Sequence, residues 1–212
     1  MHIDKLIKGN KKFRNTTFSN HKEDFDSLVK YGQKPEVLFI GCSDSRVVPD
    51  LIVDSSPGDM FILRNIGNFV PPHKADNDFH GSSAAIEFAV SALEVKDIIV
   101  CGHSYCGACE ALYDDTLKSK PDLSHVSKWL ELGLKAKEQA ILELENNNNT
   151  EHLLRITEKA SIKFQLENLL TYPAIARRVK EKSLTLHGWY YKIEDGTIES
   201  YCPQDDKFVL LD

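Results

Sequence analysis

Two rhythms of apolar and polar positions run along this chain. Val37-Leu38-Phe39-Ile40, Met60-Phe61-Ile62-Leu63 and Ile98-Ile99-Val100-Cys101 are short unbroken apolar runs, the pattern of strands buried on both faces. The first and third end at Gly41 and Gly102, and the second is entered through Pro57-Gly58-Asp59. Ahead of them, Ile3, Leu6, Ile7, Phe13, Phe18, Phe25 and Leu28 stand between charged residues at the spacing of short amphipathic helices. Ser83 to Leu93 is apolar on nearly every face, which predicts a helix buried on both sides. Leu123 to about Glu145 predicts another helix, ending in the tract Asn146 to Asn149, which reads as a solvated loop. Residues 151–182 predict further helix, broken near Tyr172-Pro173, and Leu184 to Tyr191 and Thr197 to Tyr201 predict two strands joined around Asp195-Gly196.

Strands separated by helices imply βαβ units and a mainly parallel central sheet flanked by helices, an α/β fold. The expected organisation is one domain over residues 1–212, with an N-terminal helical arm (1–34) and an α/β core (35–212). The net charge of −6 supplies no basic footprint, so nucleic acid is not an expected partner. No run reaches membrane-spanning length and the charged N-terminus lacks a signal-peptide pattern, so the expected location is the cytoplasm.

Chemistry enters where the strands end. Loops after the carboxyl ends of parallel strands are where α/β folds place their sites. The first strand runs into Gly41-Cys42-Ser43-Asp44-Ser45-Arg46, and the third into Gly102-His103-Ser104-Tyr105-Cys106-Gly107. Two thiolates and an imidazole, Cys42, His103 and Cys106, make a ligand set suited to zinc, with a fourth position left for water. Spacing alone leaves two alternatives open: a closed structural site in which Cys109 is the fourth ligand, and a thiol-redox role for Cys106-Gly107-Ala108-Cys109. Cys101, Cys202 and Cys109 read as small buried hydrophobes. Asp44 next to Arg46 would stay ionised and oriented beside such a metal. Three neutral histidines on zinc bring a bound water to a pKa of about 7. Two thiolates cancel the ion's charge, so mildly alkaline operation is expected here.

These residues resemble a family. Cys42-Ser43-Asp44-Ser45-Arg46-Val47 and Cys101-Gly102-His103-Ser104-Tyr105-Cys106-Gly107 are similar to the two signatures of beta-class carbonic anhydrases. Gly58-Asp59-Met60-Phe61, Arg64 to Asn68, Ser83 to Val90, Gln165 to Pro173 and Leu186 to Tyr191 match in the family's order. The resemblance implies reversible hydration of CO₂ to bicarbonate and a proton, by attack of zinc-bound hydroxide. It implies Cys42, His103 and Cys106 as ligands of one Zn²⁺ per chain, with Asp44 and Arg46 as the gating and orienting dyad. It also implies a homodimer or dimer of dimers whose N-terminal arms wrap the partner subunit. The same signatures would serve a carbon disulfide or carbonyl sulfide hydrolase on this scaffold. Two positions depart from the family pattern: Ala108 stands where many members carry a second glycine, and Phe39 where bicarbonate-regulated members carry tryptophan. Inhibition by bicarbonate at a second site is therefore not expected, although Arg64 and Tyr191 match the rest of that pocket. His73 and His80 receive no role.

Overall fold

A computed structural model describes residues 2–76, 78–144 and 149–211 of the chain. The three apolar runs become β1 (Val37–Cys42), β2 (Met60–Asn65) and β3 (Asp97–His103). They are joined by β4 (Thr185–Tyr191), β5 (Ile198–Cys202) and β6 (Lys207–Leu210) in one sheet of order β2-β1-β3-β4-β5-β6. The pairs β1–β2, β1–β3 and β3–β4 are parallel, and β4–β5 and β5–β6 are antiparallel. The expected mainly parallel sheet is present, with one strand more at its C-terminal edge than the sequence reading supplied.

The helices follow the sequence pattern with some breaks. The amphipathic start forms α1 (His2–Asn15), α2 (Thr17–Asn20) and α3 (Lys22–Tyr31), followed by the short α4 (Pro49–Val53). Then come α5 (Gly81–Glu87), continued by a π-helical stretch over Phe88–Ala92, and α6 (Gly107–Ala111). The helix expected from Leu123 is divided at Gly133 into α7 (Ser124–Leu130) and α8 (Leu134–Glu143). The remainder is α9 (Thr150–Leu169) and α10 (Pro173–Lys180), separated at Tyr172-Pro173 as expected. Of the asparagine tract, Asn146 to Asn148 lie outside the described residues, as does Glu145. Asn149 caps α9, its side chain accepting from the His152 N–H.

Alternation along the strands divides the core. Leu38, Ile40, Ile98 and Val100 pack with Ile86, Ala89 and Val90, and with Ile162, Leu169 and Ile175 of α9 and α10. Phe39, Ile99 and Cys101 point to the other face, against Trp189 and Tyr191. Burial on both faces explains why β1 and β3 read as unbroken apolar runs. The Ser83–Leu93 helix departs from expectation, because only one side of it is covered. Ile86, Ala89 and Val90 meet the sheet, whereas Ala84, Phe88 and Ala92 are exposed, Phe88 being only partly covered by the Phe61 ring 5.8 Å away. No helix among the described residues is long and apolar enough to cross a membrane.

The longest helix, α9, comes unusually close to the sheet. A Cβ at Gly102 or at Gly188 would lie 2.8 Å from the Ile162 side chain, so glycine on two adjacent strands admits the helix. Its buried side also carries Thr157, Glu158, Ser161 and Gln165.

Candidate metal centre

Strand order decides which loops meet. From β1 the chain crosses to β2 on one side and then to β3 on the other, so the crevice at the carboxyl ends of β1 and β3 is the topological switch point of the sheet. Cys42 closes β1 and His103 closes β3 on neighbouring parallel strands, and Cys106 follows one tight turn later. That turn has Tyr105 in the left-handed region (φ 57°). The Sγ atoms of Cys42 and Cys106 and a His103 ring nitrogen all lie within 4.8 Å of one another, and all three residues are buried. Cys109 is buried nearby but does not belong to that group. None of the five cysteines forms a disulfide; Cys101 and Cys109 are buried as expected, whereas Cys202 is half-exposed on the edge hairpin.

Local hydrogen bonds prepare each donor. His103 Nδ1 lies 2.9 Å from the Ser104 carbonyl, which holds the proton on that nitrogen. Nε2 is then a bare lone pair, buried and without a hydrogen-bond partner among the described residues. Ser104 is itself fixed: its hydroxyl donates to Glu194 at 2.6 Å and accepts from the Ile193 N–H at 2.9 Å. A hydrogen bond with Cys106, together with burial, pushes the Cys42 thiol up to about 12. Hydrogen bonding with Cys109 and burial push Cys106 up as well. Two buried thiols that do not ionise on their own, facing an orphaned imidazole nitrogen, fit a soft-to-borderline divalent cation whose charge replaces their protons.

The two polar residues beyond Cys42 form a tight pair. Arg46 donates from Nε to Asp44 Oδ1 at 3.0 Å and from a terminal nitrogen to Oδ2 at 2.7 Å, while its backbone N–H also meets Oδ1 at 2.9 Å. The Arg46 hydrogen bonds hold the Asp44 carboxyl far below the usual carboxylate range. The same terminal nitrogen of Arg46 donates to the Tyr105 carbonyl at 2.9 Å, tying the β1 loop to the β3 loop. Asp44 N–H lies 3.4 Å from Cys42 Sγ.

Three contributors were not assigned to the site from sequence. Arg64 on β2 donates to the Cys42 carbonyl at 3.0 Å and the Asp44 carbonyl at 2.7 Å, bracing the loop from the other side. Glu158 of α9 accepts the Cys106 N–H, and burial pushes its carboxyl up to about 7 against the pull of its donors. Gly67, in the left-handed region at φ 75°, leaves room for Ala108: a Cβ on Gly67 would lie 2.9 Å from the Ala108 methyl. Phe39 is fully buried, its ring edge-on to Trp189, with no polar atom to offer an anion. A cleft of about 580 Å³ lined by Ser43, Asn65, Ile66, His80, His125 and Trp129 opens beside the end of β1. A second group, Asp76, Asp78 and His80, lies at the surface, where Asp76 is paired with His80 and with Lys74.

Comparison with known proteins gives the family. The family model described as carbonic anhydrase matches residues 37–198. A carbonic anhydrase of Synechocystis sp. is 44% identical over 200 residues, spanning 94% of this chain and 71% of that protein. One from Pseudomonas aeruginosa is 37% identical over 206 residues, covering 97% of this chain and 90% of its own. Among solved structures, that of the beta-carbonic anhydrase CcaA superposes with a TM-score of 0.89 at 43% identity, over 100% of this chain and 92% of that one. A tetrameric beta-carbonic anhydrase of Sordaria macrospora matches at a TM-score of 0.80 and 30% identity, over 94% of this chain and 96% of its own. With a family match over most of its length, and relatives of this identity and coverage, the chain belongs to the beta carbonic anhydrases.

Proposed function

We propose that this enzyme catalyses the reversible hydration of CO₂ to bicarbonate and a proton, with Cys42, His103 and Cys106 holding one zinc ion. The observation that carries the reading is the convergence of two buried thiols on the unpartnered Nε2 of His103. Zinc bound there supplies Lewis acidity, which lets water lose a proton well below its bulk pKa. The chain's own residues do the rest. Asp44 carries no proton at working pH and only accepts hydrogen bonds, so it can fix the orientation of a proton-bearing nucleophile while excluding one that arrives the wrong way round. Arg46 occupies both oxygens of Asp44, which supports an orienting role rather than a ligating one in this conformation. Arg64 braces the β1 loop and the Ser104–Glu194 pair braces the β3 loop, while Arg46 ties one to the other through the Tyr105 carbonyl.

The reading treats residues 1–212 as one domain, assembled as a dimer or higher oligomer; the Sordaria relative's tetramer supports the latter. Stopped-flow CO₂ hydration by zinc-loaded protein, from neutral to clearly alkaline pH, tests it. Turnover that rises with pH and vanishes on zinc removal is expected. No turnover at any pH with one zinc bound per chain would overturn the assignment of substrate.

A further inference from the structure

The metal ligands reach their positions through a turn, and the peptide plane inside that turn is gripped at both ends. The Tyr105 carbonyl accepts from Arg46 at 2.9 Å. The Cys106 N–H, the other end of the same Tyr105–Cys106 peptide, donates to Glu158 Oε1 at 2.9 Å. Glu158 is 2% exposed. Burying a carboxylate is costly unless donors surround it, and here they do. Arg155 meets Oε1 at 2.7 Å, and the Tyr190 hydroxyl donates to Oε2 at 2.7 Å. Arg155 also lies over the Tyr105 ring, 4.0 Å from its centroid, so α9 holds the side chain of the turn as well as its backbone. A leucine would satisfy packing at this position. Only a side chain that accepts hydrogen bonds satisfies the Cys106 N–H.

We infer that Glu158 is a positioning residue for the metal centre: by clamping the Tyr105–Cys106 peptide opposite Arg46, it fixes the direction in which Cys106 presents its sulfur. Tyr105 sits in the left-handed region, where a non-glycine residue persists only if its surroundings over-determine it. Rotation of this peptide plane would swing the Cα–Cβ bond of Cys106 away from His103 Nε2 and Cys42 Sγ. The inference rests on the proposed ligand set and adds to it a residue outside both signatures, 52 positions after Cys106.

The test compares the parent with Glu158→Gln, Glu158→Ala and Tyr190→Phe, each folded and loaded with Co²⁺ or Zn²⁺. Two readouts are taken: the thiolate-to-cobalt charge-transfer and d–d bands, and the rate of zinc release to a chelator. Glu158→Ala is expected to release zinc at least about tenfold faster and to shift the cobalt bands, the usual scale for a lost outer-shell partner. Gln keeps an acceptor for the Cys106 N–H and an amide donor toward the Tyr190 oxygen, so it should stay within about threefold of the parent. Tyr190→Phe removes a neighbour of the same carboxylate without touching Cys106, and should keep the parent's cobalt spectrum even if it melts earlier. If Glu158→Ala does not fold, Glu158→Asp, one methylene too short to reach, replaces it with the same expectation. Parent-like release and spectrum in the Ala or Asp variant would overturn the inference. So would a Gln variant as impaired as Ala, or a Tyr190→Phe spectrum shifted as far as theirs. A parent protein with no thiolate-to-cobalt band would instead sink the ligand set itself.

Discussion

Arg46 spends one guanidinium on two tasks, holding Asp44 ionised and holding the Tyr105 carbonyl. The two tasks separate by mutation. Asp44→Asn keeps shape and zinc but replaces an acceptor with a donor, so CO₂ hydration should fall by roughly a hundredfold or more, as for a misplaced reacting group. Stopped-flow rates alongside metal content check this, and an Asn variant as fast as the parent would remove Asp44 from the mechanism. Asp44 is shifted down by Arg46, so its pairing contributes stability above the unfolded carboxylate pKa of about 3.9 and loses it only as pH falls below that. Slowing between pH 8 and 6 therefore does not come from protonating Asp44. The thiols behave in the opposite way: Cys42 and Cys106 are both pushed up, so metal must displace their protons, and zinc affinity should weaken steadily on acidification. Equilibrium dialysis against a zinc buffer at several pH values reads this directly, and a pH-independent affinity would argue against thiolate ligands. Cys109 lies outside the ligand group, so Cys109→Ser should retain one zinc per chain; loss of that zinc would restore the closed four-ligand alternative.

At the scale of elements, the site depends on how closely neighbouring segments can approach. Gly67→Ala would force a side chain into the left-handed region and against both Ala108 and Phe69, each 2.9 Å from the new Cβ. The expected loss is about 1–3 kcal/mol by denaturant titration, the range for overpacking. Adding Ala108→Gly removes one of the two clashes but neither the Phe69 contact nor the backbone strain, so the double variant should recover only part of it. Purely additive effects would mean the two residues are not coupled. The same closeness explains what was legible in sequence and what was not. The runs at 37–40 and 98–101 announced their strands because both faces are buried, and the meeting of Cys42, His103 and Cys106 was readable because cysteine and histidine stand where neighbouring parallel strands end. Glu158 was not readable: Thr157, Glu158, Ser161 and Gln165 look like the wet side of α9, yet all four face inward, Glu158 accepting from the Cys106 N–H at 2.9 Å and Gln165 from the Val70 N–H at 2.8 Å. Lys207–Leu210 is a four-residue edge strand that follows a charged turn, and so short a run carries almost no period-2 signal. Apolarity all round the Ser83–Leu93 helix does not say whether the second covering layer comes from the same chain.

For the whole molecule, that uncovered side is part of a larger imbalance. The helical arm is tied to itself by rings, Phe13 with Phe18 and Phe18 stacked on Phe25, and to the core where Leu28 sits over Gly58. Yet α1 buries no residue, and Ile3, Leu6 and Ile7 stand 51%, 68% and 61% exposed. A lone helix of 14 residues is marginal in water, because nucleation costs more than so few hydrogen bonds return. An apolar stripe on such a helix is stable when something covers it, and the exposed side of the Ser83–Leu93 helix, with Phe88 at its centre, offers the same kind of surface. Assembly of identical chains would cover both at once, in line with the tetrameric relative. Sedimentation at micromolar concentration should therefore give a mass that is a multiple of the 24.0 kDa chain. Replacing Leu6 and Ile7 with aspartate should lower that mass or raise the concentration needed to reach it, without changing the α/β core. A parent that remains at 24.0 kDa at every concentration would mean that the arm is stable by itself and that its apolar stripe serves something other than self-assembly.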